Sequence, residues 1–227
     1  MNPLSAQFDR IDPRRIYLQR FLLLCLFLCY PLSRMVPVAW GWENGVVENT
    51  QVVVLLAGLF FAARAWLRGP NDVRSALALC AIPIWMILAG RELSWGAVFL
   101  PPLGFTPDGP VYSSSILSYR PAVPFVAGLL VLASLVIGWR RGVHRHLKNI
   151  VAHRAFPWLC VLIALGAALG STIGEGHLPS FARDLVKRSE VLEEMAECVG
   201  YLAMVTAQSV LLRFKAPALA GARTVEA

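Results

Sequence analysis

The sequence predicts an all-α integral membrane bundle of about six transmembrane helices, with both termini cytoplasmic. Three observations predict it. The 227 residues are 57% hydrophobic and only 15% charged, with a mean hydropathy of +0.59, whereas a soluble domain is roughly a quarter charged. Six apolar segments approach the roughly 20 residues that cross a bilayer as helix. Finally, the basic residues sort to one side. With the N-terminus inside and the segments alternating, the outside keeps only Arg34, Arg91, Arg120, Arg183, Lys187 and Arg188. The rest cluster at the N-terminus, around Arg64 to Arg74, in Arg140 to Arg154 and near the C-terminus, which is the positive-inside bias. Of the acids, only Asp9, Asp12, Asp72 and Glu226 lie inside.

The net charge of +7 therefore reports orientation, and the expected partner is anionic lipid headgroups, not nucleic acid. Residues 1–214 read as a single transmembrane domain and 215–227 as a disordered cytoplasmic tail. No small-residue cleavage site follows the basic start, so no removable signal peptide is read. The predicted location is the bacterial inner membrane.

The first segment, Ile16 to Val38, is rich in Leu, Phe and Cys, carries Pro31, and ends at Trp40-Gly41-Trp42, an aromatic anchor for the interface. The second, Val46 to Leu67, opens with polar residues. If the helix starts near Asn44, then Asn44, Glu48 and Gln51 recur at i, i+4, i+7 and form one stripe descending from the outer end. Preference of acids for a helix N-terminus accounts for Glu43 and Glu48 but not for Gln51. The third segment, Ser75 to Leu100, has Pro83 at its middle and Gly90-Arg91-Glu92-Leu93-Ser94-Trp95-Gly96 near its end. An ionised group in hydrocarbon costs several kcal/mol unless paired or wetted, so Glu92 needs a partner. On a continuing helix Trp85, Leu88, Glu92 and Trp95 share a face. Neighbouring residues do not face each other, so Arg91 is expected to be a poor direct partner for Glu92. The alternative is that both snorkel to the interface.

Pro101 to Tyr119 is a long outside loop holding Asp108 and Tyr112, a lid, a binding loop or a disordered segment. The fourth segment, Pro121 to Trp139, is plain apolar helix. The basic stretch after it, Arg140 to Arg154 with His144, His146 and His153, reads as a headgroup-binding surface in preference to a metal site. The fifth, Phe156 to Gly174, repeats Gly166, Gly170 and Gly174 at four-residue spacing, which permits close helix approach. Ser171, Thr172, Glu175 and His177 mark its outer end, and Leu178 to Arg188 is compatible with an interfacial helix. The sixth, Val191 to Phe214, follows a possible Ser189 cap. Glu190, Glu194, Glu197, Tyr201 and Gln208 recur along one of its faces. The five cysteines, Cys25, Cys29, Cys80, Cys160 and Cys198, read as small packing residues.

This topology puts Glu43, Glu48, Glu92, Glu175, His177, Glu194 and Glu197 at one membrane depth. Several carboxylates cannot all stay ionised in a partly dry site. Some are protonated, basic groups such as Arg91 pair with them, or a metal binds. Oxygen ligands would favour Mg²⁺, Mn²⁺ or Ca²⁺ over zinc, with Glu48, Glu92, Glu194 and Glu197 as candidate ligands. No di-iron Glu-x-x-His repeat, His-x-x-x-His pair, Gly-x-Ser-x-Gly, Walker or dinucleotide fingerprint is present.

Glu43-Asn44-Gly45-Val46-Val47-Glu48, Gly90 to Gly96 and Glu193-Glu194-Met195-Ala196-Glu197 together resemble a broad set of uncharacterised bacterial multi-pass inner-membrane proteins. That family carries an acidic-Gly-x-x-Glu opening, a Gly-Glu-Glu-x-Ser-Trp-Gly centre and a Glu-Glu pair near the last helix. Arg91 stands where the family tends to have its first Glu, and Ser113 to Arg120 replaces an Asn- and His-containing segment. The resemblance implies that Glu48, Glu92 and Glu194 form one set, and it brings no reaction with it.

Two functions are open. In one, the chain is a membrane-embedded enzyme acting at the outer leaflet on a lipid or lipid-linked substrate. Glu92 is then base or metal ligand, Glu48 and Glu194 or Glu197 co-ligands, and His177 a proton carrier. In the other it is a non-catalytic transporter or envelope assembly or accessory subunit. Its carboxylates then pair helices or carry a proton or cation, and it packs against a membrane partner or a second copy.

Overall fold

A computed structural model describes residues 13–69, 72–106, 109–174 and 189–213. The described chain is mostly helical, with one short hairpin. Its α-helices are α1 (Pro13–Ser33), α2 (Val46–Arg68), α3 (Val73–Glu92), α4 (Val123–Arg140), α5 (Val143–Ala152), α6 (Trp158–Gly174) and α7 (Ser189–Leu211). Among the described residues, four helical stretches are long and apolar enough to cross a membrane: Arg14–Ser33, Val38–Arg68, Val73–Glu92 and Arg120–Arg140. α6 is apolar but shorter, with 17 residues. α7 has 23 residues, but Glu190, Glu193, Glu194 and Glu197 occupy its first half.

α7 is the hub of the bundle. On one side it joins α1 and α6 through Leu22, Cys29, Cys160, Ile163, Leu192, Val199 and Ala203. On another, Tyr201 joins Leu55 and Ala62 of α2 and Trp85 and Ala89 of α3. α4 leans on α3, where the Cys80 thiol donates to the Ser134 carbonyl at 3.2 Å, and most of its remaining surface is open. Apolar side chains gain little by leaving lipid for one another, so close backbone approach at small residues must supply the packing. The glycine spacing of α6 does so in part. A Cβ on Gly170 would lie 3.3 Å from the Ala196 Cβ of α7, and one on Gly166 would lie 3.2 Å from Leu26 of α1. From the other side, Gly200 faces the Ala167 Cβ at 2.9 Å. All five cysteines are free, and Cys29 and Cys160 are buried in the α1–α6–α7 core.

Three expectations are corrected. α2 starts at Val46, the expected first residue of the second segment, so the alternative start near Asn44 fails: Asn44 turns left-handed (φ 59°) and Gly45 is the N-cap. α3 stops at Glu92 and does not run to Leu100: Ser94 (φ 43°), Trp95 (φ 56°) and Gly96 (φ 103°) are left-handed. The Trp42 ring packs on Gly109, where a Cβ would approach within 2.5 Å. The basic stretch after α4 is an amphipathic helix, α5, not a loop, and His144 stacks on Trp139 at 4.2 Å between ring centroids.

The loop after α3 is ordered where it is described. Gly104–Thr106 pairs antiparallel with Gly109–Val111, and two single-turn 3₁₀ helices follow. Asp108, the tail 215–227 and the amphipathic stretch 178–188 lie outside the described residues, as do Glu175 and His177.

Candidate functional site

Glu92, the final residue of α3, is 6% exposed. Its Oε1 accepts the Tyr201 hydroxyl of α7 at 2.8 Å and the Arg91 Nε–H at 3.0 Å. Arg91 therefore is a direct partner, contrary to the sequence expectation. The rule against neighbours assumes that both side chains radiate from a continuing helix. Here the helix ends, and the long guanidinium stem folds back over its neighbour. A second Arg91 nitrogen donates to Glu197 Oε2 at 2.6 Å, and the Ser171 hydroxyl of α6 donates to Glu197 Oε1 at 2.8 Å. One arginine thus links carboxylates of α3 and α7, and Glu197 reaches on to α6. The Arg91 side chain keeps 54% exposure while Glu92 and Glu197 keep 5% and 11%, so the cation is the wetted end of the network.

A second group sits on α2. Glu48 occupies the third position of its helix and accepts the backbone N–H of Asn44, the reach-back of a capping carboxylate. One turn deeper, Gln51 is fully buried. Its Nε2 donates to the Glu194 backbone carbonyl at 2.7 Å and to Glu194 Oε2 at 2.8 Å. Its Oε1 is buried with no donor among the described residues. Glu48 and Glu194 lie within electrostatic range of each other and of Glu92 and Glu197. The sequence stripe of Glu48 and Gln51 thus meets the acidic face of α7, while Asn44 contributes backbone rather than a third rung.

The left-handed turn after Glu92 fixes this end of α3. Left-handed Ser and Trp each carry strain of roughly 1–3 kcal/mol, and three contacts hold them. Gly96 N–H donates to the Leu93 carbonyl at 2.7 Å, Ser94 Oγ donates to Glu43 Oε1 at 3.1 Å, and the Tyr119 hydroxyl donates to the Trp95 carbonyl at 2.6 Å. The Trp95 ring folds back over Gly90, where a Cβ would lie 2.7 Å from it. Glu43 Oε2 also accepts the Tyr112 N–H at 2.8 Å, tying the hairpin loop to the entrance of α2. Sequence reasoning missed the Glu43–Ser94–Tyr112 contacts and Tyr119. Only Gly96, a residue suited to positive φ, signalled the turn.

Among the described residues, no three His, Cys, Asp or Glu side chains are gathered closely enough to hold a metal ion. The side chains of Glu48, Glu92, Glu194 and Glu197 hydrogen-bond to backbone, Gln51, Tyr201, Arg91 and Ser171. Candidate His177 lies outside the described residues.

A deeper polar pair stands apart. The Trp85 indole N–H donates to Gln208 Oε1 at 2.6 Å, and Gln208 Nε2 donates to the Gly58 carbonyl at 2.9 Å, so α2, α3 and α7 are joined in mid-bundle.

Tyr201→Phe deletes only the donor to Glu92. The expected loss is about 1.5 kcal/mol, the lower end for a hydrogen bond to a charged group, read as a lower melting temperature in detergent. An unchanged melting temperature would remove Tyr201 from the network. No family model, no curated protein and no solved structure matches this chain.

Proposed function

We propose that the chain is a six-span bacterial inner-membrane protein with both termini in the cytoplasm. Its working part is a carboxylate-rich site at the periplasmic face, made by Glu48, Glu92, Glu194 and Glu197, which binds and exchanges a proton or cation while holding α2, α3, α6 and α7 together. The reading makes it a member of the inner-membrane family its three acidic blocks resemble. Its partners are membrane lipids, anionic headgroups among them, and a packed membrane partner or second copy.

The observation that supports the reading is an imbalance of charge. Arg91 is the only cation bonded to these four carboxylates among the described residues. A buried excess of carboxylate must be balanced by protons or by a cation. The unpartnered Gln51 Oε1 lies beside Glu194 and supplies one more acceptor for such an occupant.

The test uses the full chain in nanodiscs. Tryptophan emission and melting temperature are followed while pH is varied and Na⁺, Mg²⁺, Mn²⁺ or Ca²⁺ is added. A response lost in Glu194→Gln and retained in Glu193→Gln is expected. A response identical in wild type and Glu194→Gln would sink the proposal.

One observation favours a second reading, an enzyme acting on a lipid or lipid-linked substrate. A phenol hydrogen-bonded to a buried carboxylate, as Tyr201 is to Glu92, is an acid–base pair suited to proton transfer. Lipid profiles of cells carrying Glu92→Gln separate the two readings, since only the enzyme accumulates a substrate.

A further inference from the structure

The end of the bundle away from Glu92 carries a cavity of about 440 Å³ where the C-terminus of α2, the start of α3 and the end of α7 meet. Arg64 and Arg68 enter from α2, Arg74 from α3, and Arg213 from just past α7, with Phe61 and Leu212 as apolar wall. Arg64, Arg68 and Arg213 are exposed and have no acidic partner within 4.0 Å among the described residues. Arg74 meets Asp72 at 3.9 Å, but Asp72 also caps α3 by accepting the Ser75 N–H at 2.9 Å. Asp72, the one carboxylate paired with a cavity arginine among the described residues, is therefore already occupied.

Arginines at a helix C-terminus suit the macrodipole, and basic residues at this end suit orientation. Those two effects account for Arg68 and for charge in general. They do not require guanidinium groups from α2, α3 and the segment after α7 to line one concave surface. Guanidinium forks bind phosphate oxygens in pairs, and the volume falls within the roughly 300–1,000 Å³ of ligand sites. We propose that this cavity is a binding site for a phosphate-bearing anion, with the arginines on the phosphate and Phe61 and Leu212 beside an apolar portion. An anionic phospholipid and a soluble phosphate compound share that chemistry.

The experiment is a thermal-shift titration of the full chain in neutral detergent. Its probes are phosphatidylglycerol, phosphatidylcholine as zwitterionic control, and inorganic pyrophosphate. The variants are Arg64→Gln with Arg213→Gln, and a charge-matched control, Arg34→Gln with Arg120→Gln, which lie just after α1 and just before α4, away from the cavity. Affinity is expected to fall about fivefold for each cavity arginine removed and to stay unchanged in that control. Arginine-dependent protection by phosphatidylglycerol assigns the site to lipid, and the same dependence with pyrophosphate alone assigns it to a soluble ligand. Protection by neither probe, or an equal loss in the control, overturns the proposal. Should the double Gln variant fail to fold, Arg64→Lys with Arg213→Lys keeps the charge and loses the fork. Undiminished affinity there overturns it as well.

Discussion

Replacing Arg91 with methionine is expected to lower stability by about 2–3 kcal/mol. Removing one partner of a buried ion pair typically costs about 3–5 kcal/mol, because the other charge stays buried without compensation. Arg91 is half exposed, so water screens part of the loss. Two carboxylates, Glu92 and Glu197, lose their cation together. The check is a melting curve of Arg91→Met beside Arg91→Met with Glu197→Gln. The second change should restore part of the loss, since it removes one of the stranded charges. A double variant less stable than the single one would show that Glu197 has another source of compensation.

A larger effect is expected at Gly58. A Cβ there would sit 2.8 Å from the Trp85 ring. That ring is held by its indole bond to Gln208, which also binds the Gly58 carbonyl. The tryptophan cannot step aside without breaking the only described polar link between α2, α3 and α7 in mid-bundle. Gly58→Leu should cost about 3 kcal/mol or more, at the upper end of overpacking. Gly128→Leu is the matched control, because a Cβ at Gly128 on α4 meets nothing within 4 Å. Equal melting temperatures for the two variants would refute the packing account.

The helices and the polar face of α7 were legible in the sequence because both rest on period and length. Gln51 stood out as a polar residue one turn too deep for an end effect, and it is fully buried against Glu194. What was not legible depends on where a helix stops. The spacing argument carried α3 past Glu92, so it misplaced Trp95 and separated Arg91 from its partner. Apart from Gly96, nothing local distinguishes a helical Ser94-Trp95 from a left-handed one. The turn is held by Tyr119 and Glu43, 24 and 51 residues away. The hairpin escaped notice for a similar reason: each strand has three residues, too few to show alternation. The partners of the carboxylates were not legible either: Arg91, Tyr201, Ser171 and Gln51 come from four different helices, and spacing along one helix does not show which side chains of another it will meet.

The central position of α7 bears on the order in which the molecule is made. α1 packs chiefly on α6 and α7, while α2 packs on α3 and α7. Helix α1 is made before α2, α3 and α4 and has no principal neighbour among those three. The α2–α3 pair and the α1–α6 pair wait in the bilayer as separate pieces until the last described helix is threaded between them. A chain cut before Ser189 would leave both halves unjoined and exposed to quality-control proteolysis, even though the four described helices long and apolar enough to cross a membrane had already been synthesised.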